Sequence, residues 1–94
     1  MKGYENLDQF IDKHLNQSLE ELKTYVAQPS ISAQNLGLRE CAELVKGMLE
    51  KRGFKAEINA TDGAPVVFGE IKGKSDKTLL IYNHYDVQPP EPLE

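Results

Sequence analysis

A continuous apolar run, Thr78-Leu79-Leu80-Ile81-Tyr82, lies in the last quarter of the 94-residue sequence. Side chains of a β-strand alternate between two faces, so Leu79 and Ile81 would lie on one face, and Leu80 and Tyr82 on the other. A strand that is apolar on both faces is usually covered on both, as in sheets with helices on each side. The run therefore predicts a central strand of an α/β sandwich, with sheet neighbours on both sides in the complete protein.

Two amphipathic helices are predicted before this run. Apolar residues recur at spacings of three and four and predict one kinked helix or two short ones over residues 6–27. Pro29 ends this region because proline lacks an amide donor, and a loop follows it. The second helix is predicted over residues 38–52, with Gly53 placed for a left-handed cap.

Two short strands are predicted between the second helix and the apolar run. They cover residues 54–59 and 66–71, and turn-forming residues separate them. Pro65 stands at the start of the second, which suits an edge strand. We expect these two strands to pair antiparallel. The predicted fold class is therefore α/β, with two helices packed on the first strands of a mixed sheet.

Composition excludes several classes of protein. Apolar residues make up 39% and charged residues 28% of the sequence, a balance typical of soluble globular proteins. A net charge of −4 argues against nucleic-acid binding, which needs a basic face. No apolar stretch approaches the ~18 residues of a membrane span, and residues 1–5 lack the pattern of a signal peptide. The single cysteine, Cys41, excludes an internal disulfide and predicts a reducing, cytoplasmic location.

The candidate site follows the apolar run directly, where the sequence reads Asn83-His84-Tyr85-Asp86. While strand geometry lasts, His84 and Asp86 point the same way and emerge at the carboxyl end of the strand, where open α/β sheets place their ligands. A neutral histidine is a good metal ligand through one ring nitrogen, and a nearby carboxylate can accept the other N–H and fix the ring. The spacing permits a metal ligand with an orienting carboxylate, although a lone histidine at a strand end is more often structural.

The residues alone leave a structural role for this pair open. His-x-Asp is a common tripeptide, and a zinc site needs three or four ligands that the rest of the sequence does not supply convincingly. We interpret His14 as a helix residue at or near the surface and Cys41 as a small core residue. Ser30 and Ser32 have no histidine base within sequence reach, which argues against a serine nucleophile.

The segment around His84 nevertheless resembles a known motif. Residues 80–89 read Leu-Ile-Tyr-Asn-His-Tyr-Asp-Val-Gln-Pro and resemble the first metal motif of the zinc exopeptidases and deacylases. This family includes carnosinase-like dipeptidases, glutamate carboxypeptidase, aminoacylase and acetylornithine deacetylase. Residues 26–32, Val-Ala-Gln-Pro-Ser-Ile-Ser, are similar to the helix exit of that family. Tyr85 and residues 87–94 look most like its dipeptidase branch, although Asn83 stands where the family commonly has glycine.

The resemblance implies a site, a cofactor and a substrate class. The residue that matches His84 is a ligand of one of two bridged zinc ions, and the residue that matches Asp86 takes part in catalysis by orienting that imidazole. The implied reaction is hydrolysis of a dipeptide or a small acylated amino acid by a metal-activated water. The implied partners are that small substrate and, in some members, a second copy of the chain, with no nucleic acid and no membrane.

The resemblance also implies that much of the enzyme is missing from this sequence. In the family, the bridging aspartate, the glutamate general base, the other ligands and a lid domain follow the first motif. We therefore expect residues 1–94 to be the N-terminal part of a three-layer zinc-peptidase catalytic domain, inactive by itself and holding little or no zinc. The alternative is a non-catalytic α/β module in which the His-x-Asp is structural.

Overall fold

The computed structural model describes residues 3–90. In this range, the chain forms helix α1 (Glu5–Ala27), a short 3-10 turn (Ser32–Gln34), helix α2 (Leu38–Lys51) and strands β1 (Lys55–Asn59) and β2 (Val66–Glu70). The predicted α/β class is confirmed, and the bounds of these helices and strands lie within one residue of the predicted ones. Some sequence predictions also rest on residues 1–2 and 91–94, which lie outside the described residues.

Helix α1 is one continuous helix, without the kink or break that its sequence left open. Its main packing partner is α2. The carboxylate of Glu21 accepts a hydrogen bond from the Arg52 guanidinium at 2.7 Å, and the Lys51 ammonium lies 3.9 Å away. The Arg52 hydrogen bond is the main reason that the pKa of Glu21 lies below its ordinary value. Polar contacts therefore hold α1, and its apolar stripe remains exposed.

The core of the described chain forms around the first half of α2. Leu38, Cys41 and Ala42 of this helix are buried together with Ile31 from the preceding loop, which confirms the prediction that Cys41 is a core residue. Further along α2, Leu49 packs on the sheet at Gly69, where an added Cβ atom would lie 2.9 Å from a terminal methyl group of Leu49. A two-stranded sheet is marginally stable by itself, so this packing supports it.

Strands β1 and β2 pair antiparallel, as predicted, with Ile58 opposite Val67 and Ala56 opposite Gly69. The predicted third strand is not formed in this chain. Residues 78–82 have no strand partner within the described range, and Leu79 and Leu80 are 85% and 84% exposed. A strand needs a neighbour for its backbone hydrogen bonds, so the expectation of a central strand in the complete protein stays a prediction.

Within residues 3–90, no helix combines the length and the apolar character needed to cross a bilayer.

The loop between the helices is held in a tight conformation. Ile31 and Leu36 exchange two backbone hydrogen bonds of 2.9 and 3.1 Å, and Asn35 between them is left-handed at φ 50°. Gly37 then enters α2 with φ 71°, so close to Pro29 that a Cβ atom would overlap the Pro29 carbonyl. Only glycine meets both requirements, which makes residue 37 the point that fixes how the loop joins α2.

We predict that Gly37→Ala lowers the free energy of unfolding by about 2 kcal/mol or more, because alanine would add both left-handed strain and overlap with Pro29. Urea denaturation followed by circular dichroism measures the change. Gly47→Ala in α2 is the control: no heavy atom lies near its added Cβ, so it should raise stability by about 0.5–1 kcal/mol. Equal effects of the two substitutions would contradict this account of the loop.

Candidate metal site

The segment that carries the candidate site is attached to three parts of the fold. The Val87 amide donates a hydrogen bond of 2.8 Å to the Ser30 carbonyl in the loop after α1. The Tyr85 hydroxyl donates one of 2.5 Å to the Pro65 carbonyl, just before β2. The thiol of Cys41 in α2 lies 3.9 Å from the Tyr85 carbonyl, at the outer limit of a weak sulfur hydrogen bond. Residues 85–87, next to His84, therefore have a defined position, although they belong to no strand.

His84 and Asp86 lie against each other, as their spacing predicts. Nδ1 of His84 is 3.1 Å from Oδ1 of Asp86 and 3.0 Å from the Asp86 carbonyl oxygen. Both partners are acceptors, so Nδ1 carries the proton that is shared between them. In the neutral ring, Nε2 is then unprotonated and keeps its lone pair. The His84 side chain is 74% exposed, so this nitrogen belongs to an accessible ring.

The second oxygen of the Asp86 carboxylate also has a partner. The hydroxyl of Ser32 donates a hydrogen bond of 2.5 Å to Oδ2. The pKa of Asp86 is lowered from its ordinary value, chiefly by the Ser32 hydrogen bond and then by the His84 hydrogen bond, because both favour the ionised form. At neutral pH, Asp86 is therefore a carboxylate with a donor on each oxygen.

The contact of Ser32 with Asp86 was not predicted from the sequence, in which Ser32 was a candidate only as a nucleophile. The signal that could have found it is that each of the two segments that carry the resemblance, residues 26–32 and residues 80–89, contains one of these residues. Linking the two motifs required the fold, because Ser32 and Asp86 are 54 positions apart.

The described residues supply part of a metal site. Within residues 3–90, no three His, Cys, Asp or Glu side chains come together in a way that could hold a metal ion. His14 lies on α1, where its Nδ1 contacts the Phe10 carbonyl at 2.8 Å and its ring stacks on that of Phe10. An accessible imidazole backed by a carboxylate has the chemistry of one metal ligand. These residues thus fit a metal as one ligand of a larger set.

Comparison with known proteins gives two informative matches, while no protein-family model matches the chain. Among curated proteins, the chain is similar to the Cys-Gly metallodipeptidase dug1 of Schizosaccharomyces pombe, with 36% identity over 90% of this chain and 21% of that protein. Among solved structures, it is similar to the M20 family metallo-carboxypeptidase Sso-CP2 of Sulfolobus solfataricus. That match has 51% identity and a TM-score of 0.71, over 78% of this chain and 18% of the other.

These matches confirm the resemblance to metallopeptidases that residues 80–89 indicated. Both homologues are metal-dependent peptidases by name, so they are hydrolases. The solved structure also supports the α/β architecture. The chain spans about one fifth of the length of each of these two relatives. Neither match favours the alternative of a non-catalytic module.

We predict that Tyr85→Phe lowers the free energy of unfolding by about 1 kcal/mol, because it removes the hydrogen bond to the Pro65 carbonyl. Urea denaturation of the 94-residue chain measures this change. Tyr82→Phe is the matched control, since Tyr82 is 84% exposed and its loss of a hydroxyl should change stability by less than about 0.5 kcal/mol. An equal loss in both variants would show that Tyr85 is no anchor.

Proposed function

We propose that residues 1–94 are the N-terminal part of the catalytic domain of a zinc-dependent peptidase that hydrolyses dipeptides or small acylated amino acids. In this proposal, His84 is a zinc ligand and Asp86 is the residue that orients it. The observation that carries the proposal is the contact between His84 Nδ1 and the Asp86 carboxylate, in a chain whose homologues are metallopeptidases.

The imidazole of His84 is preorganised for metal binding by its contact with Asp86. Asp86 holds the proton on Nδ1, which selects the tautomer with a free lone pair on Nε2. It also limits rotation of the ring, because turning the ring would break the bonds from Nδ1 to Oδ1 and to the Asp86 carbonyl oxygen. A carboxylate behind a histidine ligand makes the ring more basic and so a stronger ligand. Asp86 therefore contributes charge and orientation at once.

Zinc bound at such a site would act as a Lewis acid and would polarise the scissile carbonyl. We propose that the other ligands and the general base lie outside residues 1–94, because the described residues offer one candidate ligand. In the mechanism, the part of this chain is to hold the Nδ1 proton of His84 and to keep the Asp86 carboxylate against that ring. Because the other ligands and the general base are proposed to lie outside residues 1–94, we expect the 94-residue chain alone to be inactive.

The remaining proposals concern partners and location. A small peptide or acylated amino acid is the proposed substrate, and the net charge of −4 supports the absence of a nucleic-acid partner. A cytoplasmic location is supported by the single cysteine, which is buried in the core. Association with a second copy of the chain remains part of the proposal, as in some members of the resembled family.

We predict that His84→Ala in the complete enzyme abolishes most activity and releases at least one equivalent of tightly held zinc, since a catalytic zinc has few protein ligands. Metal analysis after exhaustive dialysis and a dipeptide hydrolysis assay provide the two measurements.

The matched control for this prediction is His14→Ala. His14 contacts only its own helix through Phe10, so its removal should change neither zinc content nor activity. Full zinc occupancy in the His84 variant would refute the assignment of His84 as a ligand.

We predict that Asp86→Asn lowers kcat more than it lowers zinc content. The amide keeps the shape of the carboxylate but loses its charge, and the loss of a partner behind a histidine ligand costs about 10–100-fold in affinity or activity. Steady-state kinetics of the complete enzyme, paired with metal analysis of the same preparation, measure both quantities. Unchanged kinetics would mean that the contact between His84 and Asp86 is incidental.

A further inference from the structure

We propose that Ser32 is a positioning residue of this site, which fixes the Asp86 carboxylate and, through it, the imidazole of His84. The turn after α1 would then set the geometry of a metal ligand that lies more than fifty positions further along the chain. The inference rests on the proposed role of His84 as a ligand. It adds a residue whose hydroxyl acts through Asp86 and takes no direct part in the reaction.

The Asp86 carboxylate is held at both of its oxygens. Its Oδ2 accepts from Ser32 at 2.5 Å, and its Oδ1 lies 3.1 Å from Nδ1 of His84. Rotation of the carboxylate about its last side-chain bond would break both contacts together. Without Ser32, one oxygen would be free to exchange partners with water, because the Asp86 side chain is 38% exposed. The hydroxyl therefore holds the orienting group itself in place.

The backbone around Ser32 is held independently of Asp86. The Asn35 amide donates to the Ser32 carbonyl at 3.1 Å, which closes the short 3-10 turn. The paired backbone of Ile31 and Leu36 encloses that turn. The hydrogen bond between the Val87 amide and the Ser30 carbonyl joins the two segments close to the carboxylate contact. Because the backbone fixes both sides, the side-chain contact can transmit orientation.

The two serines of the loop, Ser30 and Ser32, differ in their hydrogen bonds. Ser30 is 4% exposed, yet its hydroxyl has no hydrogen-bond partner among residues 3–90. Ser32 is exposed, yet its hydroxyl reaches a specific acceptor in a distant segment. The contact of Ser32 is therefore no general property of hydroxyls in this loop. The chain supplies a matched control two residues away.

The experiment compares Ser32→Ala, Ser32→Thr and Ser30→Ala in the complete enzyme. We expect Ser32→Ala to lower kcat about 10-fold and to weaken zinc binding by a similar factor, with KM changed less than about twofold. Ser32→Thr keeps the hydroxyl and should restore kcat to within about threefold of the original. Ser30→Ala should leave all three quantities unchanged. Zinc affinity is measured by competition with a chromogenic chelator at one fixed pH.

Thermal unfolding followed by circular dichroism accompanies these measurements. Should Ser32→Ala fail to fold, Ser32→Cys replaces it, since a thiol is close in size to the hydroxyl but is a weak donor. A loss of kcat in Ser32→Cys with an unchanged melting temperature would support the proposal. Wild-type kcat and zinc affinity in a folded Ser32→Ala or Ser32→Cys enzyme would overturn it.

Two further results would also overturn the inference. Equal losses in Ser30→Ala and Ser32→Ala would mean that the loop is structural and that the Ser32 hydroxyl has no special part. A failure of Ser32→Thr to restore kcat would mean that the hydroxyl is not what matters. The His84→Ala variant separates the inference from the proposed function. Full zinc retention in His84→Ala refutes the proposed function. Loss of zinc in His84→Ala, combined with wild-type kcat and zinc affinity in Ser32→Ala, refutes only the inference.

Discussion

The carboxylate of Asp86 joins the two segments on which the candidate site depends. It accepts from Ser32 in the turn after α1 and from His84 beside it, so that one charged group is shared by the loop between the helices and the last segment of the described chain. A carboxylate in this position is stabilised by both donors, which lower its pKa. The loop after α1 and the imidazole of His84 are therefore joined through this one carboxylate.

Local signals in the sequence were sufficient for most of the fold. Pro29 and the left-handed Gly53 mark helix ends through their own backbone properties, and both ends lie where these residues predicted. The pairing of His84 with Asp86 was also predictable, because two positions along an extended segment bring side chains to one side. The straight course of α1 was not decided by its sequence, whose spacing left a kink or a break open, but the cooperative hydrogen-bond ladder continues through the whole helix.

What the sequence did not reveal depends on distant contacts. Ser32 meets Asp86, and Tyr85 meets Pro65, only after the chain has folded, and no periodicity encodes such pairs. The apolar stripe of α1 and the apolar run of residues 78–82 show a related gap. Their patterns indicate which faces are apolar, but they do not say what covers them, and residues 3–90 leave both exposed.

Alternation along residues 84–86 explains how one short segment can serve two purposes. Tyr85 contacts the hairpin through Pro65 and approaches α2 at Cys41, whereas His84 and Asp86 contact each other and the loop at Ser32. Attachment of the segment through Tyr85 and orientation of the His84 ring through Asp86 therefore use different residues and different partners. Because the hydroxyl of Tyr85 touches neither ring nor carboxylate of the candidate site, the attachment of this segment and the orientation of its imidazole are separable properties. The position of the His84 imidazole is therefore defined by three anchors of its segment and one shared carboxylate, without a regular strand beneath it.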